Sequence, residues 1–207
     1  DLNSIADIPA GTGLGSSSSF TVGLLQAVNA YLGRYASKEF LASEASDIEI
    51  NRLGEPIGKQ DQYAAAYGGI NLITFYETED VSVEKISMKT EKYKELEENL
   101  LLFYTHDTRS ASKILTEQKK NVGMGKEKVD NLKKMVKLCS DLRFELENNN
   151  VDAMGEILHT SWMYKKELAS AITSEKVDKY YKIGTENGAK GGKLLGAGGG
   201  GFLLFYS

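Results

Sequence analysis

Apolar residues at Phe20, Leu24, Ala27, Val28 and Tyr31 recur at steps of three and four between Ser17 and Leu32. The spacing predicts a helix there, packed through that face. Ser37, a residue type that caps helix N-termini, precedes Phe40 and Leu41 and signals a second helix. It runs through LASEASDIEINRL and stops at Gly54 and Pro56. The alanine-rich DQYAAAY reads as a short helix from Asp61, ended by Gly68 and Gly69. The period then changes. INLITFY and the alternating VSVEKISM read as paired strands, KTEKYKELEEN as a charged, solvated connector, and LLLFYT as a strand. From Thr108 helical spacing returns in four stretches: TRSASKILTEQKK, EKVDNLKKMVKLCSDLRFELE, VDAMGEILHTSWMYKKEL and SEKVDKYYKIGTENG. KLLGAGGGG and the strand-like FLLFYS follow, while SIADI at the other end reads as a strand entering a glycine-rich loop.

Strands and helices in separate runs predict an α+β chain. Its 207 residues suffice for one large or two small domains, and the composition shift near residues 90–100 puts the boundary between 1–95 and 96–207. A net charge of −4 argues against a nucleic-acid-binding surface. No apolar run approaches the roughly 20 residues that span a bilayer, so no membrane partner is expected. The single cysteine, Cys139, precludes an internal disulfide and fits a cytoplasmic location; inside an amphipathic helix it reads as a small core residue. The chain opens DLNSIADIPAG without an initiator methionine or the features of a secretion signal, and it closes within a strand-like run. Both ends read as cut, as in a fragment. The assembly is expected to be a monomer or a homodimer.

The chemistry begins at PAGTGLGSSSS, residues 9–19. A Walker A loop needs a lysine beside its serines, and the next lysine here is Lys38. A dinucleotide loop needs a third glycine where Ser16 stands. Gly196, Gly198 and Gly201 do fit G-x-G-x-x-G, but they open a strand instead of a helix, so that match is spurious. The physical reading that survives is a phosphate cradle. Gly11, Gly13 and Gly15 permit positive φ and close approach to bare backbone, and the serines start a helix whose first N–H groups attract anions. A flexible linker, the competing reading, would not lead directly into a helix. Downstream, Glu49 and Asp61 flank a Gly/Pro turn. Phosphoryl transfer uses one carboxylate to hold a metal and one to orient or deprotonate a hydroxyl, although most such pairs are simply solvated.

The order of these segments resembles the GHMP small-molecule kinases. PAGTGLGSSS is similar to their second motif and KLLGAGGGGF to their third, with Glu49, Gly54, Pro56, Asp61 and Gly68-Gly69 in the family's order between them. The resemblance implies an N-terminal α+β domain and a ferredoxin-like C-terminal domain. It implies ATP and Mg²⁺ as cofactors, with Pro9, Gly11, Gly13, Leu14, Gly15, Ser16, Ser17 and Ser18 around the ATP phosphates. Ser17 and Glu49 would ligate the metal and Asp61 would be the catalytic aspartate, while Gly196, Ala197, Gly198 and Gly199 would close on the substrate. Within the family, IPAGTGLGSSSSFTVGLL, GEPIGKQDQYAAAYGGINLI, TRSASKIL and GGKLLGAGGGGFLLFY resemble the D-glycero-D-manno-heptose 7-phosphate kinases. That subgroup phosphorylates the anomeric hydroxyl on the way to nucleotide-activated heptose for surface polysaccharide. L-fucose kinase domains share much of the pattern, and a sugar sensor without catalysis and the family's decarboxylase branch are rival readings. The family's first motif and its last helix and strand have no counterpart here.

Two further residues are candidates. Lys59, two positions before Asp61, could offset transition-state charge or be a solvated loop lysine. Arg109 in THDTRSAS suits a sugar phosphate or a surface ion pair. His106 and His159 lack metal-ligand spacing and read as structural, and Trp162, Tyr180 and Tyr181 as core or half-buried.

Overall fold

The first helix, α1 (Ser16–Tyr31), follows Gly15, whose left-handed backbone turns the loop into the helix. In this computed structural model residues 5–8, 11–107, 111–122 and 125–207 are described. The helix forms as its periodicity predicts, but its buried positions are Ser18 and Val22, while Phe20, Val28 and Tyr31 are exposed. The sequence carries apolar residues on two faces. The one that packs holds Val22 and Leu25 against Leu41 and Ala45 of α2 (Lys38–Ser46) and Ala66 of α3 (Gln60–Tyr67). Ser37 caps α2 by accepting from the Phe40 N–H. The helix then widens into a π-helical turn, Asp47–Arg52, which carries Glu49 inward.

The hairpin forms as expected. β1 (Asn71–Phe75) and β2 (Val81–Lys85) pair antiparallel, with Ile73 opposite Val83. The stretch KTEKYKELEEN is not a solvated connector. It folds as α4 (Thr90–Glu98), because Leu96 finds a pocket of Ile86, Leu146, Val151 and Tyr206 that outweighs its charged neighbours. SIADI gives no strand among its described residues 5–8.

The second sheet has the order β3-β5-β4, antiparallel throughout, from β3 (Leu100–Tyr104), β4 (Gly191–Leu194) and β5 (Phe202–Tyr206). LLLFYT and FLLFYS, both read as strands, are thus neighbours in one sheet, whereas the glycine-rich β4 carries too little strand signal to be read. Helices α5 (Ala111–Val122), α6 (Lys126–Glu147), α7 (Ala153–Lys166) and α8 (Glu175–Glu186) match the four helical stretches. α7 lies directly on β4: a Cβ on Gly191 would meet the Gly155 carbonyl oxygen at 2.0 Å. The main core gathers Trp162, Ile172, Val177, Tyr181, Leu203 and Phe205. Tyr181 is buried and Tyr180 exposed; Cys139, expected in the core, lies on the exposed side of α6. No described helix is long and apolar enough to cross a membrane.

Candidate active site

Two glycine loops from opposite ends of the chain meet backbone to backbone. Gly13 has φ +79° and Gly196 has φ +67°, and a Cβ built on Gly196 would lie 2.6 Å from the Gly13 Cα. A Cβ on Gly201 would lie 2.2 Å from the Thr12 carbonyl oxygen. Only residues without side chains allow this approach. The second loop is pinned from below. Gly199 N–H donates to the Ile172 carbonyl (2.8 Å), Gly201 N–H to the Asp107 carbonyl (2.8 Å), and the Thr105 hydroxyl to the Gly201 carbonyl (2.9 Å). Ala197, between these glycines, is half-buried.

The first loop delivers the chain into α1 without a side-chain cap or an acidic residue in the first turn. α2 and α8 are capped by Ser37 and Ser174. The N–H groups of Ser16, Ser17 and Ser18 at α1 therefore keep their capacity to bind an anion, and Leu14 is half-buried beneath them.

Asp61, at the start of α3, closes the site from the side. A Cβ on Gly15 would touch the Asp61 Cβ at 3.3 Å. Although the residue as a whole is exposed, its carboxyl is partly desolvated against the loop, and this raises its pKa; the charge of Glu49 raises it further. Glu49 is buried, and its Oε2 accepts from the Ser18 hydroxyl at 2.8 Å and from the Gln62 side-chain amide. Both donors are neutral, and no ion pair reaches Glu49 among the described residues. Ser18 is thus the serine that holds Glu49, whereas Ser17 stands exposed one position earlier.

The donor set fits a divalent cation. Glu49 has both protein hydrogen bonds on one oxygen, Asp61 is near enough to sense its charge, and the Ser17 hydroxyl is open. Among the described residues no cluster of three or more His, Cys, Asp or Glu exists. The arrangement therefore suits Mg²⁺, which takes one or two carboxylates and completes its shell with phosphate and water, and not an all-protein cage.

One sequence candidate pairs elsewhere, and two fall on residues that are not described. Lys59 does not turn toward Asp61: it forms an ion pair with Glu79 in the β1–β2 turn, because that carboxylate is within reach of a lysine on the outer side of the loop. Pro9 and Arg109 lie outside the described residues, though Thr105 and Asp107 bring the stretch before Arg109 to the second glycine loop. Conversely, Gln62 and Lys165 escaped the sequence reading. Gln62 is a fully buried amide in an alanine-rich helix. Lys165 on α7 donates through Nζ to the Gly196 carbonyl, and burial together with the charge of Lys193 lowers its pKa to about 7. Its place three residues after the buried Trp162, on the same helix face, was the available signal.

Known proteins are similar to this chain in sequence and fold. The pattern of the GHMP kinases N terminal domain matches residues 1–69 and that of the GHMP kinases C terminal matches residues 142–206. A D-glycero-alpha-D-manno-heptose 7-phosphate kinase of Campylobacter jejuni is 35% identical across 99% of this chain and 60% of its own length. The solved structure of a D-glycero-D-manno-heptose 1-phosphate kinase from Bacteroides thetaiotaomicron has a TM-score of 0.68 at 30% identity, over 97% of this chain and 54% of that one. A second solved structure, of a Campylobacter jejuni protein, gives 0.73 at 32% identity over 97% and 56%. The chain therefore spans little more than half the length of these relatives.

Proposed function

The chain belongs to the GHMP kinase family, and on that premise we propose that the protein is an ATP-dependent sugar kinase. It transfers the γ-phosphoryl group to the anomeric hydroxyl of a sugar phosphate of the D-glycero-D-manno-heptose 7-phosphate class, in the supply of nucleotide-activated heptose. The observation that carries this reading is the backbone-to-backbone contact of the two glycine loops, with Asp61 packed against Gly15. The names of the heptose phosphate kinases among the similar proteins support the choice of sugar.

In this mechanism the N–H groups at the start of α1 bind the ATP phosphates, and their preorganised dipoles cost no reorganisation during reaction. Ser17 and Glu49 would hold Mg²⁺, whose chemistry is to neutralise charge on the β- and γ-phosphates. Ser18 and Gln62 keep the Glu49 carboxylate in place. Asp61 accepts the proton of the attacking hydroxyl. A bond forms between the sugar oxygen and the γ-phosphorus as the bridging bond to the β-phosphate breaks, and ADP leaves. The raised pKa of Asp61 makes it a better proton acceptor than an ordinary surface carboxylate.

The test is ADP release by the full-length protein over heptose 7-phosphate, L-fucose, galactose and mevalonate. Turnover should be highest with heptose 7-phosphate and fall by about 10² to 10⁴ after Asp61→Asn. Equal turnover by Asp61→Asn, or preference for an unphosphorylated sugar, would overturn the reading.

A further inference from the structure

Glu49, on the π-helical turn, and Gln62, on α3, form a buried pair beside the start of α1. Gln62 directly follows Asp61 and is fully buried. Its Nε2–H donates to Glu49 Oε2, the same oxygen that accepts from the Ser18 hydroxyl at 2.8 Å. An ionised carboxylate can only accept, so the amide must turn its nitrogen toward Glu49 and its oxygen away. That oxygen, Gln62 Oε1, is buried and meets no donor among the described residues. A glutamine that served packing alone would be expected to have both ends of its amide paired. Glu49 Oε1, for its part, receives no hydrogen bond among the described residues. Both bonds to the carboxylate therefore fall on one oxygen and leave the other to a ligand. A carboxylate held in this way presents a single oxygen to a cation. Mg²⁺ accepts single carboxylate oxygens in a tight octahedral shell and keeps several waters, whereas Ca²⁺ takes about six to eight oxygens and often both of one carboxylate. A retained water is also a donor of the kind that Gln62 Oε1 lacks.

We propose that Gln62 is a specificity-determining residue: by occupying Glu49 Oε2 together with Ser18, it restricts Glu49 to single-oxygen coordination and makes the site select Mg²⁺ over Ca²⁺. Gln62 acts through Glu49 and is thus a positioning residue. The proposal rests on the reading that Glu49 holds the cation of the nucleotide.

The experiment uses the full-length protein and a non-hydrolysable ATP analogue as the probe. Binding of the analogue is measured by calorimetry in saturating Mg²⁺, in saturating Ca²⁺ and in EDTA, for the wild type, Gln62→Met and Gln62→Glu. Methionine keeps the volume without a donor, and glutamate keeps the shape but replaces the donor with an acceptor. The wild type should bind at least about tenfold more tightly with Mg²⁺ than with Ca²⁺, and Gln62→Met should bring the two Kd values within about threefold of each other. Lost packing alone would weaken binding with both cations alike and leave their ratio where it was. An unchanged ratio in Gln62→Met with a native circular dichroism spectrum therefore overturns the proposal. Should Gln62→Met not fold, Gln62→Glu decides by the same ratio. Equal wild-type binding with Mg²⁺ and Ca²⁺, each tighter than in EDTA, leaves the cation reading standing and overturns the selectivity. Wild-type binding that is as tight in EDTA as in Mg²⁺ overturns the cation reading itself, and the proposal with it.

Discussion

Asp61 illustrates how far single residues carry the argument. Its identity and order were legible in the sequence, but its contact with Gly15 was not, because that depends on where α3 lands beside α1. The raised pKa sets a sign for stability. A carboxyl whose pKa is higher in the fold than in the open chain contributes stability at low pH and loses it as pH rises through the folded value. At pH 7 the ionised Asp61 therefore burdens the fold. Asp61→Asn should raise the thermal midpoint at pH 7, with the gain shrinking as pH falls through the folded value and gone by the ordinary carboxylate value of 3.8, while turnover drops by about 10² to 10⁴ for loss of a general base. Thermal melts across pH and ADP-release rates check both halves. The two serines separate in the same way. Ser18→Ala removes a buried bond to a carboxylate and should cost about 1–3 kcal/mol in urea denaturation. Ser17→Ala should stay within about 0.5 kcal/mol and instead raise the Mg²⁺ concentration for half-maximal turnover. From the sequence the two look interchangeable; only the rotation of α1 toward Glu49 distinguishes them.

At the scale of elements, periodicity identified every long helix, yet it misplaced the buried face of α1. Two apolar faces competed there, and α2 and α3 cover only the one containing Val22. The π-helical turn at Asp47–Arg52 was invisible for a related reason: a widened turn shifts the register of inward positions without altering composition. It is this turn that buries Glu49. α4 was missed because nine mostly charged residues disguise one anchor. Leu96→Ala should destabilise the protein by about 2–5 kcal/mol, measured by chemical denaturation, which a solvated connector could not do.

For the whole molecule, the α+β class and the strand character of β3 and β5 followed from pattern, while β4 and the pairing of β3 with β5 did not. A hydrophobic cluster links Ile70, Ile86 and Met88 with Leu96, Leu146 and Tyr206, so the position 95/96 runs through a shared core. The contact of the glycine loops is a property of the complete fold and of no single segment. Gly196→Ala forces a side chain against the Gly13 backbone at a positive φ, and it should reduce nucleotide affinity at least about tenfold while the circular dichroism spectrum stays native. Gly58→Ala, which meets open space, is the matched control.

The meeting of Gly13 with Gly196, and of Thr12 with Gly201, has a consequence for the order of events during synthesis. The N-terminal loop leaves the ribosome early, yet its partner is among the last residues of this segment to appear. The closure entropy of that long loop must be met before the contact stabilises anything, a feature of high contact order and slow folding. The backbone contact between the loops therefore comes into being only when both distant segments are present and docked, late in the folding of this chain.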